Sequence, residues 1–147
     1  MIKIALIIHL LGATIWTGGH LILAIGFLPQ ALRDKDPKII EAFESKYERI
    51  GIPALILQVI TGLTLAYAYI PDVSKWFSFE THVATHIFIK LVLLALTVAL
   101  ALDARLRIIP KLSAANLTSL ALHIVAVTVI SVLFVAFGAG IRTGGLF

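Results

Sequence analysis

The stretch IALIIHLLGATIWTGGHLILAIGFL, residues 4–28, decides the fold. It contains no Asp, Glu, Lys or Arg, and it exceeds the roughly 20 apolar residues that a helix needs to cross about 30 Å of hydrocarbon. Within it sit two histidines, His9 and His20. An ionisable side chain in the bilayer is costly and reads by default as a ligand, a proton carrier or a partner of another polar group. The run has neither a short apolar core nor a small-x-small cleavage site, so it is read as a retained helix rather than a signal peptide.

The rest of the chain repeats the pattern. Hydrophobic residues make up 60% of 147, far above the share usual for a soluble domain. Charge-free runs also lie between Arg49 and Asp72 and between Lys111 and Arg142, and a further run from Thr81 to Leu102 is broken only by Lys90. The expectation is a single all-α domain, an integral membrane four-helix bundle with spans near 4–28, 51–70, 82–103 and 117–141. Between the first two spans, Asp36 and Pro37 read as a cap and a first-turn proline. Ile39, Ile40, Phe43, Tyr47 and Ile50 then follow at helical spacing. They predict a short amphipathic helix on the inner surface, separate or leading into the second span, with Gly51 and Pro53 as the break or kink.

Basic residues give the orientation. Arg33, Lys35, Lys38, Lys46, Arg49, Arg105, Arg107 and Lys111 fall in two loops on one side, against Lys3, Lys75 and Arg142 on the other. The positive-inside rule therefore predicts both termini outside, in a multi-pass protein of a bacterial-type inner membrane. The same topology explains the net charge of +4 without a nucleic-acid partner. Trp76, Phe77 and Phe79 in the outer loop suit an interfacial aromatic belt. Gly138, Gly140, Gly144 and Gly145 would permit close helix packing, including in a homodimer.

Five histidines carry the functional reading. His9 and His20 are eleven residues apart, within about 20° of one helix face and separated by about 16.5 Å of rise. Gly12 and Gly19 near that stripe leave room for a close helix or a flat cofactor. By depth, His9 matches His86 near the outside and His20 matches His123 near the inside. Such pairs would suit one or two b-type haems with bis-imidazole ligation, carrying electrons across the membrane to a quinone or another small redox partner. The bland reading is that each histidine is a hydrogen-bonding polar residue between helices.

His82 and His86, at i and i+4, present two imidazoles on one face, so a copper or zinc site of His9, His82 and His86 competes with the outer haem. With no cysteine and Met1 as the sole methionine, the soft ligands that suit Cu(I) are missing. Lys90, one turn below His86, is either a long snorkelling side chain or a cation inside the bundle, available as a catalytic residue in redox chemistry or to pair with a cofactor carboxylate. On the second span Gln58, Gly62, Leu65 and Tyr69 share a face that reads as packing.

The segment HLLGATIWTGG from His9 to Gly19 resembles the first-helix signature of the copper resistance protein D (CopD) family, and the Lys90-led helix ending Asp103-Ala-Arg105-Leu-Arg107 is similar to that family's third helix. The family implies a four-helix membrane fold and copper. A related resemblance, to HemJ-type protoporphyrinogen oxidases, implies a haem-binding membrane enzyme with functional residues at His9 and Lys90. The chain departs from that pattern after Trp16, where Gly18-Gly19-His20 and Leu28-Pro29-Gln30 stand.

Overall fold

The computed structural model describes residues 1–145. Five α-helices account for most of them: α1 Ile2–Ile22, α2 Leu28–Asp34, α3 Lys38–Tyr69, α4 His82–Asp103 and α5 Leu117–Thr143. No strand occurs among the described residues. Four helical runs are long and apolar enough to cross a membrane: Ile2–Asp34, Lys38–Tyr69, His82–Lys111 and Leu117–Thr143. Four crossings return the chain to the side on which it began, so both termini share one end of the bundle with the Ile70–Thr81 loop.

Proline shapes the opposite end. Before Pro29 the first helix widens into a π-turn at Leu23–Phe27, and before Pro110 the third span does the same at Ala104–Ile108. A proline ring collides with the carbonyl four residues back and offers no N–H to it, so a wider turn relieves the clash. Lys35 then adopts a left-handed conformation with φ of 51°, which stops α2, and the Asp36 amide donates back to the Ala31 carbonyl at 3.0 Å. Asp36 caps the next helix, its Oδ1 accepting from the Lys38 amide at 3.0 Å. The amphipathic segment does not break from the second span: α3 runs unbroken through Gly51 and Pro53. Gly51 lies against the Tyr47 ring, which fills the space a side chain there would take.

Neighbouring helices pack in the order α3, α1, α5, α4, leaving α4 to rest chiefly on α5. The most deeply buried apolar cluster joins Leu23, Leu28, Ile40, Ile108, Leu117 and Leu120 at the end away from the termini. Elsewhere Ile, Leu and Val project outward, as they do when lipid is the solvent. Inside, hydroxyls are satisfied on their own helices: Thr97 donates to the Leu93 carbonyl at 2.9 Å and Thr128 to that of Ile124 at 2.7 Å. Two longer bonds tie α1 to α5, from Thr128 to the His20 carbonyl and from Thr17 to that of Ser131.

The loop above α4 departs from the expected aromatic belt at one residue. Trp76 is buried and its Nε1–H donates to the Ile70 carbonyl at 2.9 Å, so it plugs the loop instead of facing lipid. Phe77 and Phe79 stay exposed and meet Phe88 edge-on. Asp72 starts the turn: the hydroxyl and amide of Ser74 both donate to its carboxylate and hold its pKa below the usual range.

Candidate functional site

Helix α1 sends both its histidines toward α3. The Nδ1–H of His9 is shared between the Gln58 carbonyl at 3.1 Å and the Thr61 hydroxyl oxygen at 3.0 Å, and Thr61 in turn donates to the Leu57 carbonyl. Gly62 gives this ring its landing place, since a Cβ there would lie 3.1 Å from His9 Cε1. The His20 Nδ1–H donates to the Trp16 carbonyl at 2.9 Å, and its ring lies between Trp16 and Tyr47. The stripe of small residues on α1 is occupied: a Cβ on Gly12 would stand 2.6 Å from Gln58, and one on Gly19 would run into the Tyr47 ring. The room left by those glycines receives a helix, not a flat cofactor.

His123 is also committed. Its Nδ1–H donates to the Ser119 carbonyl at 2.9 Å and its Nε2 meets Asp103 Oδ2 at 3.0 Å. Both nitrogens therefore lie within hydrogen-bond distance of oxygens. The other oxygen of Asp103 accepts from Arg107 at 2.8 Å. The two histidines of the expected inner pair have different neighbours: His20 lies against Tyr47 of α3, and His123 against Asp103. The residue that sequence reasoning passed over is Asp103, noticed only as part of a basic motif. Its signal was an acid in the last turn of a span, where a partner is needed.

Asp103→Ala would leave Arg107 without its carboxylate and His123 Nε2 without its partner near the membrane boundary. Because the carboxylate is only partly buried, the expected loss is about 1–2 kcal/mol of stability, read by thermal unfolding in detergent, with Asp103→Asn intermediate. An unchanged midpoint would remove the bridge from the fold's support.

At the end holding the termini the situation is different. The Nδ1–H of His86 donates to the His82 carbonyl at 2.7 Å, which leaves the lone pair on Nε2. That Nε2 is buried and has no hydrogen-bond partner. His86 is 7% exposed and packs edge-on to Phe137 of α5, while the exposed His82 ring lies 6.2 Å from it. A buried acceptor without a donor costs stability unless something else occupies it. Outside His82, a cavity of about 430 Å³ opens between the end of α3 and the start of α4, with Tyr69, Lys75, Glu80 and Thr81 in its wall. Lys90 lies inside the bundle rather than snorkelling, its Nζ against Gly138 and within electrostatic range of His9.

No group of three or more His, Cys, Asp or Glu side chains is gathered as a metal centre among the described residues. His9 is thus not gathered with His82 and His86 into one centre among the described residues, and the His82 and His86 rings lie 6.2 Å apart.

A family model described as copper resistance protein D matches residues 41–141. The chain belongs to the CopD family. No curated protein and no solved structure gives a significant match. The CopD match spans α3, α4 and α5, so it takes in His82, His86, Lys90 and His123 and leaves out His9 and His20. Together with the four spans, it makes this a multi-pass membrane protein.

Proposed function

We propose that this protein handles copper at the membrane, with His82 and His86 forming a two-imidazole site that receives the ion from the cavity beside the Ile70–Thr81 loop. The observation that carries the reading is the buried, unpartnered Nε2 of His86, whose tautomer the His82 carbonyl sets for ligation. Nitrogen donors without sulfur suit Cu(II) rather than Cu(I). A pair is an incomplete donor set, which favours an ion that arrives and leaves over a permanent structural metal. The excess of basic residues in the two opposite loops supports an outward-facing site.

A second reading is one haem b between His9 and His86. It is supported by their matched depth and by the absence of a hydrogen-bond partner on either Nε2 among the described residues, each ring being held through Nδ1. Haem would supply one-electron chemistry, and His9 and His86 would be its axial ligands. Electron transfer to a quinone and porphyrinogen oxidation with Lys90 both rest on that reading. Purified protein loaded with Cu(II) and, separately, protein from haem-replete cells distinguish the two. The copper reading expects about one exchangeable copper per chain and no haem absorption band. A reduced-minus-oxidised haem spectrum with no copper retained would replace it.

A further inference from the structure

At the end away from the termini, the last helical turns of the third span, residues 104–111, lie beside the start of α5 and border an open cavity of about 440 Å³. Its wall includes Asp103, Arg107, Lys111, Asn116 and Ser119. Asn116 fixes this shape: its side-chain oxygen accepts from the Ser113 amide at 2.8 Å and its amide donates to the Lys111 carbonyl at 3.0 Å. The Asn116 side chain is therefore turned to the loop and makes no cap hydrogen bond to α5, whose first turn also contains no acid. The start of α5 adjoins the cavity through Asn116 and Ser119.

Two cations border the same space against one carboxylate. Asp103 already holds Arg107 through Oδ1 and His123 through Oδ2, so Arg107 keeps further donors free. Lys111 forms no ion pair among the described residues. Beside this polar wall, Leu106 is 71% exposed, and Leu102, one turn above it on the same face, is also exposed. The cavity thus joins a cationic pocket to an apolar strip that runs into the membrane.

We infer that this cavity binds the phosphate of an anionic phospholipid, held by Arg107, Lys111, the Ser119 hydroxyl and the start of α5, with an acyl chain along Leu106 and Leu102. A free phosphate shares the headgroup chemistry but gains nothing from the leucine strip. The strip is what favours the lipid. Attraction of anionic lipid to basic residues at a membrane surface is worth about fivefold in affinity for each Lys or Arg.

The test uses the full chain in neutral detergent, with phosphatidylglycerol, phosphatidylcholine and inorganic phosphate added separately and binding read by native mass spectrometry and by thermal unfolding. Phosphatidylglycerol is expected to bind and to raise the midpoint more than phosphatidylcholine does, and Lys111→Gln to weaken it about fivefold. Arg107→Gln with Lys111→Gln should weaken it about twentyfold or more, whereas Lys3→Gln leaves it unchanged. Lys111→Gln removes no ion pair seen in the structure, so it keeps the test informative if the double variant folds poorly. Equal binding of both lipids, indifference to Lys111→Gln, or a shift produced fully by inorganic phosphate alone would each overturn the lipid site.

Discussion

His86→Ala is expected to lower Cu(II) affinity by at least about a hundredfold, with the protein still folded and membrane-inserted. The magnitude follows from what the side chain does. Its Nε2 is the one buried imidazole nitrogen without a partner, and its Nδ1 is fixed by a 2.7 Å bond to the carbonyl of His82. Removing the ring therefore removes a preset ligand and leaves no buried donor behind to compensate. His82→Ala should cost less, about tenfold, because that ring is exposed and must first be ordered before it can ligate. His9→Ala should leave copper affinity unchanged, since His9 is held by Gln58 and Thr61 on another helix. Isothermal titration or competition with a chelator measures all three. Equal losses for His9 and His86 would return the outer site to a shared ligand set, as the haem reading requires.

Gly19→Ala should be the most damaging small substitution in the bundle, destabilising it by about 1–3 kcal/mol, while Gly18→Ala one position away has no such effect. A methyl on Gly19 would enter the Tyr47 ring, whereas the same methyl on Gly18 meets nothing within 4 Å. Tyr47 has little room to retreat. Gly51 lies on its other side, its hydroxyl donates to the Trp16 carbonyl at 3.1 Å, and its ring stacks with Phe43. Unfolding in mixed detergent gives the comparison. Gly19→Ala combined with Tyr47→Ala should be less damaging than the two single effects added together, because the collision is then gone. Additive losses would mean that Gly19 and Tyr47 are not in contact.

The presence of four apolar helices long enough to span a membrane was legible because bilayer thickness and charge cost act directly on sequence. The amphipathic segment leading into the second span and the Asp36–Pro37 start before it were legible for similar local reasons, although the helix begins one residue later, with Pro37 at its N-cap, and continues through Gly51 and Pro53, which read as a break or kink. Histidine pairing was not legible. Depth along a helix follows from residue count, but the direction in which a ring points depends on which helix lies beside it. His9 and His20 meet α3 because Gly12 and Gly19 admit Gln58 and Tyr47, and nothing in the spacing of α1 alone names that neighbour. His82 and His86 were the exception, because both lie on one helix one turn apart. Their adjacency needed no knowledge of packing, and the two rings do lie 6.2 Å apart.

The most direct measurement is electron paramagnetic resonance of the Cu(II)-loaded chain carrying ¹⁵N-labelled histidine. Two coupled imidazole nitrogens are expected, falling to one in His82→Ala, with the strongly bound signal lost in His86→Ala. A spectrum of free or adventitious copper, or one with nitrogen couplings indifferent to both substitutions, would contradict the two-imidazole copper site.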